Sequence, residues 1–241
     1  GSAVVTFDPL PSPGYMKIAV TAYNHIPYIT DIEITPASGP YLKYSSHSIN
    51  DPLGNNNGQA DWGEDITLDV TIENVGADPA YNVTANLSTT DPNVIITDNT
   101  QSYGTVNNGT TSTQTDAFAV SILDDVPDGH VVSFDLNITG DSETTWSSSF
   151  TITLHAPVLE IGNLTVDDAA GGNGNGLLDP GETADLYITA SNTGSSATAA
   201  CSGVLSTSSS WITIISGNDN LGLIDPGNST DAQFQISVDG S

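Results

Sequence analysis

Positive charge is nearly absent from this sequence. Its 241 residues include two lysines, Lys17 and Lys43, no arginine, and 29 Asp plus Glu, for a formal net charge of -27. A chain this negative repels phosphate, which excludes nucleic acid and anionic lipid as partners and favours divalent cations. Cysteine is almost missing as well. The single Cys201 rules out an internal disulfide framework. That does not argue for the cytosol, because surface proteins also stabilise loops with calcium in place of disulfides. No apolar run approaches the length of a spanning helix, so membrane insertion is not expected. No signal-peptide pattern is present. Gly1-Ser2 reads as a cloning scar, with the natural N-terminus expected upstream. Helical periodicity is also lacking.

What is present is alternation. Ile66, Leu68, Val70 and Ile72 alternate with polar residues, as do Val132, Phe134, Leu136 and Ile138. Trp146, Ser148, Phe150, Ile152 and Leu154 do the same. High net charge alone would suggest disorder. Period-two patterning instead predicts strands with one buried and one wet face. Gly, Asn, Asp and Pro clusters punctuate these runs at the spacing of a sandwich.

The sequence also repeats. Asn57-Gly58-Gln59-Ala60-Asp61-Trp62-Gly63-Glu64 aligns with Asn175-Gly176-Leu177-Leu178-Asp179-Pro180-Gly181-Glu182 at an offset of 118. The offset holds without a gap through Asn74/Asn192, Gly76/Gly194, Leu87/Leu205, Gly104/Gly222 and Val120/Val238. The expected fold class is therefore all-β, as tandem immunoglobulin-like antiparallel sandwiches. Residues 1–38 read as the closing strands of a partial domain, with strands near 15–24 and 28–35. Residues 39–156 read as a complete copy, ending in strands near 130–139 and 145–154. Residues 157–241 read as a second copy without its last two strands.

The strongest chemical signal lies in one loop of each copy. Calcium takes six to eight oxygens from carboxylates, amides and backbone carbonyls. The first loop offers Asp51, Asn55, Asn57, the carbonyl of Gln59, Asp61 and Glu64. The second offers Asp168, Asn173, Asn175, the carbonyl of Leu177, Asp179 and Glu182. The glycine after Asn57 or Asn175 permits the tight turn. This spacing resembles the second half of an EF-hand loop, including its glycine and terminal glutamate. It departs where an EF-hand begins with Asp: Leu53 and Gly171 stand there, and Asp51 and Asp168 lie slightly upstream as substitutes. A strand follows the loop, so the helix-pair switch does not transfer. The alternative is a plain solvated turn.

Other candidates are weaker. Cys201 aligns with Val83 and reads as a small buried hydrophobe. His25, His47, His130 and His155 show no ligand spacing. Trp146 and Trp211 read as core residues. Trp62 replaces Pro180 of the other copy and is the candidate for sugar stacking. Sequons occur at Asn82, Asn86, Asn108, Asn137, Asn163 and Asn228, and matter only where a host glycosylates.

The stretch "NGNGLLDPGETADLYITASNTGSSAT" resembles the adhesion-related sandwich repeats of prokaryotic surface proteins. The stretch "VTFDPLPSPGYMKIAVTAYNHIPYITDIEITP" resembles the immunoglobulin-like domain that follows the catalytic domain of gingipain-type cysteine peptidases. Gly14, Ala19-Val20-Thr21-Ala22-Tyr23-Asn24 and Ile26-Pro27-Tyr28 carry that likeness. The resemblance implies a secreted parent peptidase with C-terminal sandwich repeats. No catalytic Cys-His pair of that family is present, so no catalytic residue is carried over. No Lys or Arg follows Lys43, which fits a region that survives an enzyme cutting after basic residues. The expected role is a non-catalytic, calcium-stabilised spacer, extracellular or on a prokaryotic cell surface. Its partners would be neighbouring domains, cell-surface glycans or its own copies. An adhesion or carbohydrate-binding module, and head-to-tail self-assembly by strand complementation, remain open beside it.

Overall fold

A computed structural model describes residues 14–34 and 38–240. Residues 1–13 and 35–37, part of the expected partial first domain and of its boundary, lie outside the described residues. Among the described residues the regular structure is strand, apart from one turn of 3-10 helix at Asp141–Glu143. In chain order the strands are β1 (Gly14–Val20), β2 (Tyr28–Ile34), β3 (Leu42–Asn50), β4 (Ala60–Asp61), β5 (Asp65–Asn74) and β6 (Ala80–Ser88). Then follow β7 (Val94–Asp98), β8 (Thr100–Val106), β9 (Thr111–Ile122), β10 (Val131–Thr139), β11 (Thr145–His155) and β12 (Leu159–Gly171). The last are β13 (Thr183–Asn192), β14 (Cys201–Val204), β15 (Ile212–Ser216), β16 (Asn218–Gly222) and β17 (Ser229–Val238).

The chain folds as two compact units. One comprises the described parts of Gly1–Gly58 with Asp65–Ser121 and Val132–Ile152; the other comprises Gln59–Glu64, Ile122–Val131 and Thr153–Ser241.

In the first unit, β3-β5-β9-β7 form one sheet and β11-β10-β6-β8 another. The alternation read from sequence is the cause of the layering. Leu68, Val70 and Ile72 of β5 and Val132, Phe134, Leu136 and Ile138 of β10 are withdrawn from water, while the residues that alternate with them are more exposed. Each such side chain contributes about 1.5–3 kcal/mol of transfer energy. Aromatic contacts join the layers. Phe150 of β11 stacks on Tyr44 of β3 at 4.8 Å and meets His47 at 4.9 Å. The Tyr103 hydroxyl donates to the Val70 carbonyl at 3.0 Å, and burial pushes that phenol's pKa well above its ordinary value. The β1–β2 hairpin is antiparallel, with Gly14 opposite Ile34 and Val20 opposite Tyr28. Lys43 holds Glu33 of β2 at 2.7 Å.

In the second unit, β12-β13-β17-β15 form a four-stranded sheet and β14-β16 a two-stranded one. Leu186, Ala232, Phe234 and Ile236 make the buried core, against which Ile188, Leu205, Ile212, Ile214 and Leu221 are only partly buried. The short β4 pairs in parallel with the end of β11, Ala60 with Leu154 and Asp61 with His155.

A buried asparagine organises each unit. Asn74 Oδ1 accepts the N–H groups of Tyr41 and Gly76 at 3.1 and 3.0 Å, and its Nδ2 donates to the carbonyls of Asp78 and Val106 at 2.9 and 3.0 Å. Asn192 repeats the pattern. Its Oδ1 accepts from Val158 and Gly194, both at 3.1 Å, and its Nδ2 donates to Ser196 and Ile224 at 2.8 and 2.9 Å. Every side-chain hydrogen-bonding group that counts is used, which is what makes a buried amide tolerable. Gly76 and Gly194 are required beside them. A Cβ on Gly194 would lie 2.2 Å from the Ala156 carbonyl oxygen, and one on Gly76 would lie 2.3 Å from the Tyr41 nitrogen.

Two expectations change. Trp211 is 58% exposed rather than in the core. Ile212 and Ile214 are the residues that pack inward, so alternation along β15 turns Trp211 outward. Cys201 is partly buried rather than enclosed, with its thiol donating to the Gly222 carbonyl at 3.1 Å; Val83, its counterpart by offset, is fully buried.

Candidate metal centre

The loop between β12 and β13 is held from below by Asp168, the residue upstream of the expected start. Its side chain is 2% exposed. Oδ2 accepts the N–H groups of Gly174 and Asn175 at 2.9 and 3.2 Å, and Oδ1 accepts that of Gly176 at 2.9 Å. These bonds, that from Gly176 foremost, hold the Asp168 carboxyl below the usual carboxylate range. Such curling needs left-handed backbone at two positions. Gly174 and Gly176 both sit at φ +75°, where a side chain would be strained.

Four more predicted residues meet above this hub. Asn173 Nδ2 and Asn175 Nδ2 donate to Asp179 Oδ2 at 2.8 and 2.9 Å. Glu182 Oε1 accepts the Asn173 N–H at 2.9 Å, and its Oε2 accepts the Asp179 N–H at 3.2 Å. Asn173 Oδ1 and Asn175 Oδ1 each accept one backbone N–H, from Asn175 at 3.0 Å and Leu177 at 2.7 Å. Leu177 itself turns its side chain to solvent, 63% exposed.

The first loop shows the same local devices. Asp51, 2% exposed, accepts the Asn57 N–H on Oδ2 at 2.9 Å and the Gly58 N–H on Oδ1 at 3.1 Å. Asn55 Oδ1 also accepts the Asn57 N–H, at 3.0 Å. Gly58 has φ +75° and Asn56 φ 56°, matching Gly176 and Gly174. In the other unit, Asp61 is 2% exposed, and its N–H donates to Glu64 Oε2 at 3.4 Å. The Glu64 N–H donates back to the Asp61 carbonyl at 3.3 Å. Gln59 is exposed.

The donor chemistry of the second loop fits a hard cation. Asp168, Asp179 and Glu182 supply carboxylates, and each asparagine Oδ1 keeps a second lone pair beyond the one it uses. No Lys or Arg follows Lys43, so no lysine or arginine from this stretch balances the three carboxylates. Among the described residues, no three His, Cys, Asp or Glu side chains are gathered closely enough to hold an ion by themselves. An ion here would rely on the amide and carbonyl oxygens as well.

Sequence reasoning missed a polar cluster beyond the loops. His155 Nδ1 and the Ser195 hydroxyl are 2.7 Å apart, and the Ser195 hydroxyl donates to Asp128. Asp128 also accepts the Ala156 N–H at 3.0 Å. Burial raises the Asp128 carboxyl's pKa, but the Ser195 hydroxyl, the Ala156 N–H and the charge of His155 outweigh it and hold the pKa below its ordinary value. The order is His–Ser–Asp. A nucleophilic serine needs the histidine between itself and the acid. Here the serine's one proton goes to Asp128, so His155 Nδ1–H must be the donor to Ser195. The cluster is a tie between chain segments. Trp62 makes another: its indole N–H donates to the Ala197 carbonyl at 3.1 Å. Half-buried and so engaged, Trp62 is a poor platform for a sugar. Neither tie has a sequence signal, since the partners lie 28 or more residues apart.

No family model matches the chain, and no curated protein matches it. Solved structures to which it is similar include a crystal structure of a protein of unknown function from Porphyromonas gingivalis W83. That likeness has 14% identity and a TM-score of 0.28, covering 82% of this chain and 80% of that one. Another is the secreted serine protease VesC from Vibrio cholerae, with 12% identity and a TM-score of 0.26. It covers 76% of this chain and 45% of that one.

Proposed function

We propose that this chain is a non-catalytic, calcium-stabilised spacer of tandem immunoglobulin-like sandwiches, serving outside the cell as an accessory region of a secreted peptidase or surface protein. The observation that supports the reading is the convergence of Asn173, Asn175 and Glu182 on Asp179 over the buried carboxylate of Asp168. Calcium bound to those oxygens neutralises carboxylates that have no basic partner and fixes the segment entering β13. The role is mechanical: a loop otherwise held by weak amide bonds becomes a rigid staple.

Thermal melting with millimolar calcium and then with excess chelator tests this. A reversible rise in midpoint is expected, because a ligand that binds only the folded state stabilises it by mass action. An unchanged midpoint would refute the calcium reading.

A second reading, glycan binding in adhesion, now rests on Trp211, which is 58% exposed. A glycan array with Trp211→Ala as control tests it. Binding that survives the substitution removes Trp211 from the reading, and no binding at all removes the reading.

A further inference from the structure

Four asparagines are followed directly by glycine: Asn57, Asn108, Asn173 and Asn175. Such a pair is prone to a reaction that needs no enzyme. The glycine nitrogen gives its proton to solvent base and attacks the carbonyl carbon of the asparagine side chain. Ammonia leaves and a succinimide ring closes. Water then opens the ring at either carbonyl, leaving an aspartyl or an isoaspartyl residue. Glycine favours the attack because no side chain crowds its nitrogen. The bond that the glycine N–H makes in the fold therefore decides which pair reacts.

Three of the four glycine N–H groups are held by a buried carboxylate. Gly58 donates to Asp51 Oδ1 at 3.1 Å, Gly174 to Asp168 Oδ2 at 2.9 Å and Gly176 to Asp168 Oδ1 at 2.9 Å. Removing the proton at any of them would set a negative nitrogen against a negative oxygen. Beside carboxylates withdrawn from water, that repulsion is stronger than in bulk solvent. Asn173 and Asn175 are also pinned at both ends of the amide, Nδ2 by Asp179 and Oδ1 by a backbone N–H. Asn108-Gly109 differs. It forms the turn between β8 and β9, and Asn108 is exposed. The Gly109 N–H donates to a neutral acceptor, the Asn74 backbone carbonyl, at 2.8 Å. Among the described residues the Asn108 side chain has no hydrogen-bond partner.

We propose that, of the four pairs, only Asn108-Gly109 forms the succinimide in the folded chain, with Asp51 and Asp168 shielding the other three. This gives the two buried carboxylates a role that does not depend on calcium. The second copy carries Pro226-Gly227 at the positions of Asn108-Gly109. The turn is the same. Gly109 and Gly227 have φ +68° and +74°, and the Gly227 N–H donates to the Asn192 carbonyl at 2.9 Å. Proline has no side-chain amide to lose, so this turn is open to the change in the first copy alone. Each event adds a negative charge. An isoaspartyl residue also lengthens the backbone of a turn that closes on Asn74, whose N–H donates to the Thr110 carbonyl at 3.0 Å.

The test incubates the full chain with chelator in mildly alkaline buffer, once folded and once in denaturing urea, and maps chymotryptic peptides by mass spectrometry. In the folded chain Asn108 should convert at least about ten-fold faster than Asn57, Asn173 or Asn175. In urea the four should convert at comparable rates. Asn108→Pro should remove most of the ammonia that the folded chain releases and leave circular dichroism unchanged, because Pro226 already occupies this turn in the second copy. Asp168→Asn keeps the shape of the shield and removes its charge. It should bring the rates at Asn173 and Asn175 toward those in urea while Asn57 stays slow. Loop asparagines that convert as fast as Asn108 in the folded chain would overturn the proposal. So would an Asp168→Asn chain, folded by circular dichroism, in which Asn173 and Asn175 stay slow. The comparison of folded with urea-unfolded chain needs no substitution, so it decides the question even where Asp168→Asn fails to fold.

Discussion

Replacing Asn192 with alanine should cost the second unit about 4 kcal/mol. The side chain is 1% exposed and makes four hydrogen bonds to the backbone, at 2.8 to 3.1 Å. The substitution strands the Val158 and Gly194 N–H groups and the Ser196 carbonyl away from bulk water, and leaves the Ile224 carbonyl only its bond from the Thr198 N–H. Each loses a bond worth about 1 kcal/mol net, with a larger penalty where no water reaches it. The total is a large part of the 5–15 kcal/mol that holds a typical domain together. Urea unfolding followed by tryptophan fluorescence is the assay, since Trp62 and Trp211 both belong to this unit. Asn192→Asp separates shape from hydrogen bonding. It keeps the acceptors but faces a buried carboxylate toward the Ser196 and Ile224 carbonyls, so it should cost at least as much as alanine. A loss below about 1 kcal/mol for alanine would show that the amide is not the organiser of these turns.

Two further expectations concern the same unit. Gly194→Ala should cost at least about 3 kcal/mol, because its Cβ would meet backbone at 2.2 and 2.5 Å on two sides. Gly222→Ala has open space but a φ of +67°, and should cost only about 1 kcal/mol; comparing the two denaturation midpoints separates a clash from backbone strain. Asp128 has a folded-state pKa below its unfolded value, so its contribution is complete above about pH 4 and is lost as the pH falls through the lower, folded value. The stability gap between the unmodified chain and Asp128→Asn should therefore be flat near neutrality and close in acid. A gap that widens on acidification would contradict that assignment.

The strands were legible where burial is one-sided. Alternation marked β10 and β11 to within a residue, because a strand with one wet face writes its pleat into the sequence. It overran β1, expected near 15–24, because residues 21–27 are polar and apolar by turns yet form an exposed connection. Trp211 was misread for a related reason. A large aromatic beside a strand suggests burial, but the pleat had already given the inward positions to Ile212 and Ile214. The loop residues were legible as a set, through spacing and repetition. What spacing did not reveal is that Asp168 works through backbone N–H groups six to eight residues away, a bond type that leaves no side-chain pattern. The asparagine networks were visible only as an aligned Asn-x-Gly; their partners come from three separate segments, the turn that follows each asparagine and two stretches 32 to 34 residues away.

Isothermal titration of the chelator-stripped chain with calcium, alongside Asp179→Ala, tests most directly the proposal that calcium staples this loop. The account predicts saturable heat, an affinity at least ten-fold weaker in the variant, and a gain of about 2.7 kcal/mol in stability at one hundred times the dissociation constant. No heat, with identical unfolding curves in calcium and in chelator, would contradict it.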